Sequence, residues 1–84
     1  MVYHIIIDSF IGPCSISKGI IRRELDKYKG KHVDVLISSP GGSVTEAFDI
    51  RTQFKEHGDV TAYLAGGVAS AATIVAMGAK RIVM

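Results

Sequence analysis

Apolar positions along this chain alternate between a strand-like and a helix-like period. Val2 to Ile7 reads as a first strand, closed by Asp8 and followed by a turn at Gly12-Pro13 with Ser15 and Ser17 beside it. From Ile16 the apolar residues Ile20, Ile21, Leu25 and Tyr28 fall on one side of a helix. Arg22, Arg23, Asp26 and Lys29 lie mostly elsewhere, and Gly30 is a natural terminator. His32 to Ser38 carries Val33, Val35, Leu36 and Ile37, a short β-rich run between glycine and Ser-Pro-Gly-Gly, which reads as a buried strand. Ser43-Val44-Thr45-Glu46 predicts a helix start with a capping box, in which Ser43 accepts from the Glu46 N–H and the Glu46 side chain bonds back. That helix runs through Ala47, Phe48, Ile50 and Phe54 to His57, and Gly58 ends it. Val60 to Ala65 gives a third strand, Ser70 to Met77 an Ala-rich buried helix, and Lys80 to Met84 the start of a fourth strand.

The order β-α-β-α-β-α-β predicts an α/β fold with a largely parallel sheet and crossover helices. There is no internal repeat, linker or low-complexity stretch. The pattern stops in the middle of a unit, so residues 1–84 are expected to be the N-terminal portion of a single longer domain.

Composition narrows the function classes. With 84 residues, 48% of them hydrophobic, and mixed charges, the chain is neither disordered nor collagen-like. The net charge is only +2. Lys18, Arg22, Arg23, Lys27, Lys29 and Lys31 cluster, but Glu24 and Asp26 interrupt them and no aromatic platform is interleaved, so a solvated helix face is expected and no nucleic-acid partner. Cys14 is the only cysteine, so no internal disulfide can form, and the expected setting is cytoplasmic. Val60 to Ala79 carries no charge and is long enough to span a bilayer, yet it is rich in Ala, Gly and Thr and Gly66-Gly67 splits it. No membrane partner is expected. Metal-ligand spacings and a phosphate loop are both missing from the sequence, so neither a metal nor a cofactor is expected.

Two glycine-rich corners carry the candidate chemistry. Ser39-Pro40-Gly41-Gly42-Ser43 and Gly66-Gly67-Val68-Ala69-Ser70-Ala71 each read as the end of a buried strand opening into a helix. There, free backbone N–H groups and a nucleophile can converge on one carbonyl. Ser70, at a helix start, fits either a nucleophile awaiting a base or an N-cap. Paired glycines let the backbone turn sharply and present an amide, so Gly42 N–H and Ala71 N–H can hold one developing oxyanion; an ordinary Pro-Gly turn is the other reading. Parallel topology can set the first corner beside the end of the next strand. Ser43 is accounted for as a cap, Ser38 and Ser39 as strand end and turn. His4, His32 and His57 read as structural rather than catalytic.

Taken together, Ile37-Ser38-Ser39-Pro40-Gly41-Gly42-Ser43-Val44-Thr45 and Gly67-Val68-Ala69-Ser70-Ala71-Ala72, in this order and followed by Ala-Met-Gly-Ala-Lys-Arg-Ile-Val-Met, resemble the proteolytic subunit of the Clp protease (ClpP). The flavour is that of the phage and prophage branch thought to act in head maturation. The resemblance runs from about the first strand to Met84. It implies the ClpP/crotonase-like fold and a serine endopeptidase acting on peptides or proteins through a Ser-His-Asp triad. By the same resemblance Ser70 matches the nucleophile, Gly42 and Ala71 the oxyanion-hole amides, and Gly41, Ser43 and Val44 the edge that binds substrate backbone. A homo-oligomer in the full-length parent and an AAA+ unfoldase as a candidate partner follow from it too. The family's histidine and aspartate, and the helix through which its rings interlock, match no position here, so the 84 residues alone are expected to be inactive. Three alternatives remain: a signal peptide peptidase-type enzyme with a lysine base (Lys80 being a weak internal candidate), a crotonase-like acyl-CoA enzyme, and a non-catalytic interaction piece.

Overall fold

A computed structural model describes residues 2–66 and 70–84. Four strands, β1 (Ile5–Ile7), β2 (Val33–Ile37), β3 (Val60–Leu64) and β4 (Arg81–Val83), alternate with three helices, α1 (Lys18–Asp26), α2 (Val44–His57) and α3 (Ser70–Ala76). The strands lie in the order β1-β2-β3-β4 and every pairing is parallel. The expected α/β architecture with crossover helices is what forms.

Neighbouring strands joined in sequence by right-handed crossovers place their helices on one face of the sheet. The burial pattern fits: Ile5, Ile7, Val33, Val35, Ile37, Val60 and Ala62 point into one core with Ile21 and Leu25 of α1, Ala47, Ile50 and Phe54 of α2, and Ala71, Ala72, Val75 and Ala76 of α3. The alternate positions form the other face. Register sets Ile6, Leu36, Tyr63 and Val83 in one row across all four strands, and Ile6 and Val83 remain 52% and 43% exposed.

Every expected element but α2 comes out shorter, by a residue or two at its ends in most cases, and one cap differs. β1 begins at Ile5 rather than Val2, although the His4 N–H still reaches Asp34 O at 2.9 Å. α1 begins at Lys18, capped by the Ser17 hydroxyl, which accepts from Ile20 N–H at 3.2 Å. It buries Ile21 and Leu25 but leaves Ile20 exposed. The capping box at α2 is only half made. Ser43 Oγ accepts from Glu46 N–H at 3.3 Å, but the Glu46 carboxylate does not return to Ser43. The Ser43 N–H is already donated to Ile11 O at 2.7 Å, and Glu46 Oε2 accepts instead from Lys18 N–H at 2.7 Å, satisfying an orphan donor in the first turn of α1. Gln53 Nε2 adds a bond to Lys18 O at 3.1 Å, so α2 grips the start of α1 by two side chains. The basic cluster lies on this helical surface, where Lys18 pairs with Asp49 at 3.2 Å and Arg22 with Glu56 at 3.9 Å, exposed contacts of small energetic weight.

The segment from Val60 to Ala79 contains β3 and α3; among the described residues no helix is long and apolar enough to cross a membrane. After α3 the chain turns through Gly78, which passes so close to α2 that a β-carbon there would overlap the Arg51 carbonyl oxygen and sit 2.9 Å from the Arg51 Cα. Backbone on both sides leaves nothing able to move cheaply. Gly78→Ala is therefore expected to destabilise the fold by about 1–3 kcal/mol through overpacking, read as a lower denaturation midpoint. An unchanged midpoint would show that α2 and α3 are free to separate.

Candidate active site

Both glycine-rich corners lie at the C-terminal ends of adjacent strands. β2 and β3 are in register from Val33↔Val60 to Ile37↔Leu64, and the Ala65 N–H continues the pairing to Ile37 O at 3.0 Å. The two chains thus leave the sheet side by side. A β-carbon on Gly66, whose φ is 65°, would stand 3.4 Å from Ser38 Oγ, so the second corner starts in contact with the first.

The first corner is clamped by the loop that follows β1. Ile11 bridges Gly42 in parallel fashion: the Ile11 N–H donates to Gly41 O at 2.8 Å and Ile11 O accepts from Ser43 N–H at 2.7 Å. In such a bridge the flanking residues take both bonds, and the central residue's own N–H and C=O turn the other way. The Gly42 amide therefore faces away from Ile11, and Gly42 is exposed. Only glycine fits here, because φ is 143° and a β-carbon would overlap Ile11 O. Gly41 is buried and both its backbone groups are engaged within the corner, its N–H by Ser39 Oγ at 3.1 Å. Ser43 is the expected cap, and Val44 stands exposed on the first turn of α2.

In the second corner Gly67, Val68 and Ala69 lie outside the described residues. Ser70 is the first residue of α3 and exposed, whereas Ala71 is buried. Among the described residues the Ser70 hydroxyl makes no hydrogen bond, so it caps nothing there.

The histidines occupy the other end of the sheet. His4 Nδ1 accepts from Asp34 N–H at 2.9 Å, and His57 Nε2 donates to Lys31 O at 2.7 Å. His32, just before β2, lies between Asp59 at 2.9 Å and Asp34 at 2.7 Å. Five residues of strand separate His32 from the corner after Ile37, on the order of 17 Å. Lys80 is also remote, since its N–H bonds to Val60 O at the start of β3, which removes it as a base for Ser70. No group of three or more His, Cys, Asp or Glu able to hold a metal occurs among the described residues.

The family described as Clp protease matches residues 21–83, well over half of the chain and including both corners. The chain belongs to the Clp protease family. Its four-stranded parallel sheet with alternating helices is in keeping with the ClpP/crotonase-like fold. Among curated proteins none matches it. The Clp protease match starts within α1, so β1 and the Ile11 loop that clamps Gly42 fall outside it. Ile11 was not legible as a site residue from the sequence, since an isoleucine that acts through its backbone carries no side-chain signature.

Hydrogen bonds donated to the carboxylates of Asp59 and then Asp34 raise the His32 imidazole above its usual 6.5, and the bond from His32 lowers the Asp59 carboxyl below its usual 3.8. The raised His32 stabilises the fold fully below pH 6.5 and loses that effect as pH climbs through its folded value. The lowered Asp59 contributes above pH 3.8 and loses its effect as pH falls through its folded value. The thermal midpoint of the protein relative to His32→Gln is expected to be highest between those two limits and to shrink from pH 6.5 to pH 8. A difference that is flat or grows over that rise would contradict the pairing.

Proposed function

We propose that this chain carries the nucleophile and oxyanion hole of a serine endopeptidase of the Clp type, on the phage and prophage head-maturation branch. Ser70 Oγ attacks the scissile carbonyl of a peptide or protein, a C–O bond forms, and the carbonyl π electrons move onto oxygen. The Gly42 and Ala71 N–H groups hold that oxyanion, while Ser43 and exposed Val44, with Gly41 shaping the turn beneath, line the edge taken by substrate backbone. One observation supports this reading most: the Ile11 bridge commits both neighbours of Gly42 and leaves the Gly42 amide turned outward, at a strand end beside the chain that leads to Ser70. Family membership supports it independently. The Ser70 proton needs a base other than His4, His32 or His57, so the 84 residues alone are proposed to be inactive and the triad's histidine and aspartate to come from elsewhere in the parent, as a homo-oligomer served by an AAA+ unfoldase. A paired-amide acyl-CoA enzyme would need no reactive serine.

In the protein at its natural length, a fluorophosphonate probe is expected to label Ser70, and Ser70→Ala is expected to abolish both labelling and peptide cleavage, a loss of about 10⁴-fold or more in kcat. Labelling that survives Ser70→Ala would overturn the assignment.

A further inference from the structure

We infer that Ser39 is a positioning residue for the oxyanion hole, its hydroxyl standing in for the backbone N–H that Pro40 lacks; the inference rests on the peptidase reading above. The ladder between β1 and β2 shows why the substitution is needed. Ser38 N–H donates to Ile7 O at 2.9 Å. A parallel strand donates from alternate residues, so the next rung would run from residue 40 to Ser9 O. Residue 40 is proline and has no N–H to give. The Ser39 hydroxyl makes that bond, donating to Ser9 O at 2.7 Å. The same oxygen accepts from Gly41 N–H at 3.1 Å, and beyond it the backbone rungs resume one residue out of step with the β1–β2 register, Ile11 facing Gly42 with Ile11 N–H to Gly41 O and Ser43 N–H to Ile11 O. One side chain thus bridges the gap that proline opens between the regular sheet and the Gly42 clamp.

Ser39 is 0% exposed, so water cannot replace its hydroxyl. Beyond it lie two glycines at φ 107° and 143°, the least restrained residues available, whose direction depends on what ties them down. Without the Ser39 tie the corner is held by the Ile11 clamp alone, and the Gly42 amide loses part of its fixed aim. An oxyanion exists only once attack has begun, so this loss falls on kcat and spares KM.

The test uses the protein at its natural length in four forms: wild type, Ser39→Ala, Pro40→Ala and the double variant. Replacing Pro40 by alanine restores a backbone N–H at the position of the missing rung. Labelling rate with a fluorophosphonate, kcat and KM on a chromogenic peptide, and Gly41 amide exchange by NMR are measured for each. Ser39→Ala is expected to speed Gly41 exchange and to lower the labelling rate and kcat roughly tenfold or more, with KM held within about twofold. Adding Pro40→Ala is expected to recover part of that loss, or to recover the fold if Ser39→Ala alone does not fold. A folded Ser39→Ala protein that labels at the wild-type rate would overturn the inference, as would a double variant no better than Ser39→Ala. Wild-type protein that is not labelled at Ser70 would instead remove the peptidase reading, and this inference with it.

Discussion

The carbonyl oxygen of Ile11 occupies the space a β-carbon on residue 42 would need, and it accepts the N–H of Ser43. From this contact the corner takes its shape. Residue 42 must be glycine, its amide must turn away, and the following helix must start at Ser43. Because the Ser43 N–H is committed, the Glu46 carboxylate is released from its own helix and satisfies the first turn of α1 instead. A single backbone contact thus sets the aim of a candidate catalytic amide and the seating of two helices.

The parallel sheet then brings the parts together. Every strand runs the same way, so the chain leaves β1, β2 and β3 at one end of the sheet, and Ile11, Gly42 and Ser70, the first residue of α3, follow those strands in turn. The opposite end gathers His4, His32, Asp34 and Asp59 in bonds that tie the strand starts to one another. Stability-bearing polar groups and candidate chemistry are separated by the length of the strands. That separation keeps the two positive-φ glycines of the corner away from the polar ties at the strand starts.

Much of this was legible in the sequence because it is local. Ser43, Glu46 and Gly58 marked the limits of α2 to the residue, and the β-rich run Val33, Val35, Leu36 and Ile37 marked a buried strand, of which the Val33, Val35 and Ile37 face is the fully buried one. What escaped depends on partners far along the chain. Glu46 bonds to Lys18, twenty-eight positions away, and nothing near Ser43 announces that its N–H is already taken. Nothing beside Gly78 in the sequence announces its constraint, the Arg51 backbone passing next to it. Ser39 reads as one more turn serine until Pro40 is set against the missing ladder rung. At the site, the glycine pair marked Gly42 as a candidate, but the reason for its orientation lay in the backbone of an isoleucine thirty-one positions earlier, whose side chain is buried in the core.

The central claim is that Gly42 N–H and the Ser70 hydroxyl address one carbonyl. A crystal structure of the natural-length protein bound to a peptide boronate tests it most directly. The account requires a bond from Ser70 Oγ to boron, with a boronate oxygen about 2.7–3.1 Å from both the Gly42 and Ala71 nitrogens. A boronate seated elsewhere, or a Gly42 N–H donated to a protein carbonyl in the complex, would contradict it.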